Sequence, residues 1–203
     1  TKTPENLVTS AEGHILDYPD ETYSVSSPQY PTQWLYDSES DIGIMANGWG
    51  EGFGYLLGKY NIPSCVVKQD LTILNEPNRN LNNLKVLLIG SAGLVGLDSS
   101  SIFKQKLADY VSNGGTIICF TQQHGYEFSA LPGGQVSGYG WSEDQSCQSA
   151  SVYINEISPI FNAQTKVNLD VNVDGYFTNW PADAKLLLRR TKNNMPAMIE
   201  YNC

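Results

Sequence analysis

The sequence predicts an α/β fold: a mostly parallel sheet with helices on both faces, three layers in all, and an antiparallel extension at its C-terminal edge. Three observations lead there. From Asp41 to about residue 121, apolar runs alternate with stretches of helical spacing. The runs are barely broken by polar residues, the pattern of strands covered on both faces. After residue 150 the spacing changes to period two, in segments joined by turns. Strand and helix alternating at short intervals imply βαβ units with right-handed crossovers.

Residues 1–40 contain Pro4, Pro19, Pro28 and Pro31 and form an extended lead-in, with one short strand expected around residues 14–18. The α/β domain is placed at 41–203. DIGIMAN (41–47) reads as its first strand, and the following GWGEGFGYLLGKYN as a helix with Phe53, Leu56, Leu57 and Tyr60 on one face. IPSCVVKQ (62–69) and LKVLLIGSAG (84–93) are the next strands. Residues 98–115 give a helix with an Asp/Ser start, Ile102, Phe103, Leu107, Tyr110 and Val111 on its apolar face, and a Gly stop. TIICFT (116–121) follows as a strand. In the last third, residues 149–161 suggest a short helix near Pro159. KVNLDVNV (166–173), AKLLLRR and AMIEY read as strands, the last two joined by the turn TKNNMP.

Composition narrows the function. Of 203 residues, 41% are hydrophobic and only 16% charged, a globular composition with the Asn/Ser/Gly/Tyr-rich surface common outside the cell. A net charge of −9, with no Lys/Arg cluster, repels a phosphate backbone and argues against nucleic acid. Apolar runs such as VLLIG are too short to cross a bilayer, and TKTPENLV lacks the regions of a signal peptide. The expectation is a soluble chain, extracellular or at the cell surface, whose export signal is removed or upstream. Four cysteines, at 65, 119, 147 and 203, show no CxxC spacing. Cys65 and Cys119 lie in apolar runs and read as buried thiols, while Cys147 and Cys203 sit in polar segments where a disulfide is one of the open pairings.

At YVSNGGTIICFTQQHG the chain resembles the class I glutamine amidotransferase-like superfamily. The nearest likeness is to its noncatalytic or uncharacterised branch, attached to large secreted proteins and glycosidases and including the trimerisation domain of some β-galactosidases. Residues 174–202 resemble the late part of such domains, and the likeness spans about 41–203. The resemblance implies a flavodoxin-like three-layer sandwich. In the superfamily's enzymes a nucleophilic cysteine sits in a GICxGxQ-like elbow, with His and Glu supplied downstream. ICFTQQ sets Cys119 at the nucleophile and Gln123 at the motif's glutamine, but Ile118 and Thr121 occupy the glycine positions and no histidine follows His124. Cys119 is therefore read as a core cysteine in preference to a nucleophile, with His124 and Glu127 as the other catalytic candidates.

Further candidates are binding residues. QQHGYEF ends a predicted parallel strand, where α/β folds place ligands, so Gln122, Gln123, His124 and Glu127 can meet something polar; a solvated turn is the plainer reading. NGWGEGFG fits neither GxGxxG nor the P-loop and reads as a tight-packing turn. DVNVDG copies the first half of a calcium loop, with Asp170, Asn172 and Asp174 as ligands, yet its twelfth position is Pro181. A strand running into a Gly turn is favoured, and no cofactor is expected, with calcium as the alternative. Trp141 and Trp180 stand beside acids and amides, as in sugar-stacking sites, though aromatics also serve cores. The chain is thus expected to be a noncatalytic assembly or binding module, with glycans as one ligand class, working with other domains of a larger protein or as a homo-oligomer. The alternative is a hydrolase or amidotransferase-like enzyme using Cys119 or a Gln122/His124/Glu127 site.

Overall fold

A computed structural model describes residues 7–9, 15–17, 33–144, 151–161, 168–169, 171 and 173–203. The chain forms two compact units, Thr1–Val95 with Asp109–Phe120, and Gly96–Ala108 with Thr121–Cys203.

The first unit opens with an antiparallel pair, β1 (Leu7–Thr9) and β2 (Ile15–Asp17). Its main sheet begins with β3 (Ile42–Met45), followed by helix α1 (Glu51–Lys59) and β4 (Cys65–Val67). A hairpin of β5 (Thr72–Ile73) and β6 (Glu76–Asn80) comes next, then β7 (Val86–Ile89), helix α2 (Ser101–Ser112), of which only the part from Asp109 belongs to this unit, and β8 (Thr116–Cys119). The order is β6-β5-β4-β3-β7-β8. The last four strands of that order run parallel, and β5 and β6 are antiparallel. Val67, Leu87 and Ile89 are buried, as unbroken apolar runs require of central parallel strands. β6, EPNRN, carries polar side chains and a proline, which suits the sheet edge it occupies.

Helix α1 buries Gly54 and Gly58, while Leu56 and Tyr60 of the predicted apolar face are exposed. A Cβ on Gly54 would lie 2.1 Å from the Trp34 ring, and one on Gly58 would lie 2.0 Å from the Gln33 carbonyl oxygen. The helix therefore meets the 33–34 segment along its glycines, and Trp34 is fixed there by a 2.8 Å hydrogen bond from its Nε1 to Ser64 Oγ. In α2, Phe103, Leu107 and Tyr110 are buried but Ile102 is 70% exposed, so the buried stripe is narrower than its apolar residues imply. Ser100 Oγ accepts from the Phe103 N–H at 3.3 Å, and the helix ends at Gly114 with φ +92°.

The second unit is antiparallel. Its strands among the described residues are β9 (Ser137–Tyr139), β10 (Val152–Ile154), β11 (Asn168–Leu169), β12 (Tyr176–Asn179), β13 (Lys185–Arg190) and β14 (Pro196–Glu200). They form a sheet ordered β11-β10-β13-β14 and a separate β12-β9 pair. Phe128, Val136, Val152, Ile154 and Leu187 supply buried apolar side chains, and the Phe128 and Phe177 rings are tilted at 5.1 Å.

These elements overturn the expected fold class. The molecule is mostly β, with mixed and antiparallel sheets, and is not a flavodoxin-like three-layer α/β sandwich. Three segments account for the difference. Residues 70–80 turn back as a hairpin, helped by Leu71 and Asn75 in the left-handed region at φ +67° and +66°. After β8 the chain enters a single 3-10 segment, Gly125–Ala130, in place of a helix. The short helix expected within 149–161 is instead strand β10, whose Val152 and Ile154 are buried on one side in period two against β13.

Candidate functional site

The stretch after β8 is held by a neighbouring loop of its own unit. The Gln122 carbonyl accepts from Trp141 N–H at 3.3 Å, and that of Gln123 from Ser142 N–H at 3.1 Å. A Cβ on Gly125 would stand 1.8 Å from the Gly138 carbonyl oxygen, so the two backbones approach this closely only with glycine at 125.

Two carboxylates complete the clasp. Glu143 Oε1 lies 2.6 Å from His124 Nδ1, and its Oε2 accepts from the N–H groups of Gly140 at 2.7 Å and Gly125 at 3.2 Å. Partial burial pushes the Glu143 carboxyl up, but the imidazole and the two N–H groups outweigh it and hold the group below its ordinary value. Glu127 is 1% exposed, and its Oε2 accepts from the His124 N–H at 3.0 Å. Burial is the main reason its carboxyl lies above the usual range; the His124 N–H and the imidazole draw it down, and the Asp98 charge adds to the rise. Tyr126 stacks on the His124 ring at 5.1 Å and 10° and is 59% exposed, a flat π surface among the carboxylates of Glu127, Asp98 and Glu143. Tyr139 is exposed as well and meets Tyr176 edge-on at 5.1 Å.

A second polar cluster lies deeper in the same unit. Arg190 is 1% exposed and pairs with Asp144. Asp144 Oδ2 also accepts from Gly175 N–H at 3.1 Å, and the guanidinium stands 5.4 Å from the centre of the Tyr176 ring. Asp174 has a buried Oδ1 without a hydrogen-bond partner; burial raises its carboxyl, the Asp144 charge adds to this and Arg190 opposes it.

The residues singled out from sequence fall as follows. Gln122 is fully buried and Gln123 half-buried, and both act here through their carbonyls. His124 and Glu127 come together. Trp141 and Trp180 are half-buried. Cys119 ends β8, half-buried where full burial was expected, with Sγ donating to the Phe120 carbonyl at 3.4 Å. Cys65 is fully buried, and Cys203 is exposed. Asp170, Asn172 and Cys147 lie outside the described residues. Among the described residues no three His, Cys, Asp or Glu side chains form a group that could hold a metal ion. Glu143 is not among the residues singled out from sequence; its trace there is the acid pair closing YGWSED.

Comparison with known proteins finds no family model, curated relative or solved structure that matches this chain, and no family is assigned to it. No helix among the described residues is long and apolar enough to cross a membrane.

Proposed function

We propose that this chain is a noncatalytic binding module of a larger exported or cell-surface protein, and that its ligand is polyhydroxylated, a glycan being the simplest class. The observation that carries the reading is the three-donor engagement of Glu143, by His124, Gly125 and Gly140. A carboxylate so engaged fixes backbone, and with Glu127 it makes the 122–127 segment a rigid mount for the stacked His124/Tyr126 pair. Rigid aromatic surface loses little entropy on binding, and exposed rings beside carboxylates suit a sugar's apolar face and hydroxyls together. The reading calls for no cofactor. The likeness of residues 110–125 to the amidotransferase-like superfamily enters it as a motif alone.

Two separate observations favour a second reading, a hydrolase. A carboxylate on Nδ1 is also how an imidazole is oriented for acid–base work, and the Cys119 thiol is half-buried rather than enclosed.

Binding to a glycan panel, followed by calorimetry on the hits, tests the first reading. Tyr126→Ala is expected to weaken binding by roughly 10-fold or more, a stacking contribution of about 1–2 kcal/mol, with the fold unchanged. Failure of the whole panel, or full affinity in the variant, refutes it. Labelling of Cys119 by iodoacetamide in native protein at neutral pH, as fast as a free thiolate, would favour the hydrolase instead.

A further inference from the structure

Two asparagines in this chain precede glycine, Asn47 and Asn113. Such pairs are chemically labile, because a following residue without a side chain leaves its amide nitrogen free to approach the asparagine side chain. The fold treats the two in opposite ways. Asn47 is buried and held at both ends of its amide: Nδ2 donates to the carbonyls of Gly93 at 2.8 Å and Val95 at 3.4 Å, and Oδ1 accepts from Gln69 Nε2 at 2.7 Å. Space beside Gly48 is filled as well, since a Cβ there would lie 2.3 Å from the Ser91 carbonyl oxygen and 2.6 Å from Gly93 N.

Asn113 stands in the turn leaving α2. It is exposed, Gly114 has φ +92°, and nothing lies within 4 Å of where a Gly114 Cβ would be. Its restraints are those of a helix end: Nδ2 donates to the Asp109 carbonyl at 2.8 Å, and Gly114 N–H to that of Val111 at 2.9 Å. Hydrogen bonds of this kind open by local fraying, which requires far less than global unfolding.

We propose that Asn113 is a site of spontaneous covalent modification, converting through a succinimide to aspartate and isoaspartate, while Asn47 is protected by the fold. The Gly114 amide nitrogen attacks Asn113 Cγ; the new N–Cγ bond closes the ring, and the Cγ–Nδ2 bond breaks. Ammonia leaves, carrying the proton lost by the Gly114 amide. Water then opens the ring at either carbonyl, so the net change is one water gained and one ammonia lost, with no oxidation or reduction. The product places a carboxylate at the C-terminal end of α2, where the helix dipole disfavours negative charge, and removes the hydrogen bond to Asp109. Isoaspartate also adds a methylene to the backbone leading into β8.

Native protein incubated in mildly alkaline buffer at physiological temperature, then digested and mass-mapped, tests this. The fragment holding Asn113 is expected to gain about one dalton and to become a substrate for an isoaspartyl methyltransferase, at least ~10-fold faster than the fragment holding Asn47, which reacts only through larger openings. In urea-unfolded protein the two rates are expected to converge. An Asn113→Ser variant is expected to lose the methyltransferase signal and to keep its melting temperature through the incubation that lowers that of the parent chain. Equal rates at the two positions in native protein, conversion at Asn47 alone, or no conversion at Asn113 where the unfolded chain converts, would each overturn the proposal.

Discussion

Glu143 and Glu127 lie within one clasp and respond to acid in opposite senses. Glu143 is held below the ordinary glutamate value of 4.5, so it favours folding fully above 4.5, and that contribution fades as pH falls through its lower folded value. Glu127 is held above 4.5: its contribution is complete below 4.5 and is lost as pH rises through its raised folded value. Glu143→Ala is expected to cost about 1–2 kcal/mol at neutral pH, discounted for partial exposure, and to flatten the acid limb of a melting-temperature profile. Glu127→Gln keeps an acceptor for the His124 N–H without the buried charge, so its stability at neutral pH should match or exceed that of the parent chain, as read by urea denaturation. Gln122, Gln123, His124 and Glu127 were legible as a group because they crowd into the short polar stretch 122–127 after an apolar run. Their anchor was not, since it stands 19 residues away from His124 and only the close approach of Gly125 to Gly138 brings it in.

Among the elements, α1 shows why hydrophobic periodicity located a helix but misread its buried face. Phe53, Leu56, Leu57 and Tyr60 repeat as a core stripe should, yet the contact surface is set by Gly54 and Gly58, four residues apart, which admit a neighbouring backbone that no larger residue would. Alanine at 58 gains about 1 kcal/mol of helix propensity over glycine. Against this stands a 2.0 Å encounter with a carbonyl oxygen that has no rotamer to escape by. Overpacking of this kind costs about 1–3 kcal/mol or more, so Gly58→Ala is expected to be destabilising on balance, lowering the urea midpoint. In β13 the deciding residue is Arg190. Removing one partner of a buried ion pair costs about 3–5 kcal/mol, because the other charge stays behind, so Arg190→Ala should be among the most damaging single changes in this unit. Strands β3, β4, β7, β8 and β13 all lie within the runs that apolar patterning marked, and β14 begins one residue before its run, at Pro196 of the expected turn. β10 did not declare itself: residues 149–161 were expected to form a short helix near Pro159, and only pairing with β13 decides otherwise.

On the scale of the whole molecule, the same patterning misjudged the class. Parallel strands and two helices are present, but a three-layer sandwich would carry helices in the further intervals between strands as well. The intervals after β4 and β8 instead hold a hairpin and a 3-10 segment, whose signals, left-handed Leu71 and Asn75 and the short GYEFSA, are too local to register in a periodicity argument. Charge is a safer guide at this scale. With a net −9 the chain is expected to pass through a heparin column unretained at about 0.1 M salt, where a basic patch would still bind; retention would revive the nucleic-acid class set aside from composition.

Helix α2 starts among residues of one unit and ends among those of the other, the division falling between Ala108 and Asp109. Neither half is therefore a continuous stretch of coding sequence, and no choice of start and stop codons can express one without amputating a helix. Any attempt to isolate the half that holds His124 and Glu143 would have to splice across that gap with a designed bridge, so the roles of its residues are best mapped by point substitution in the intact polypeptide.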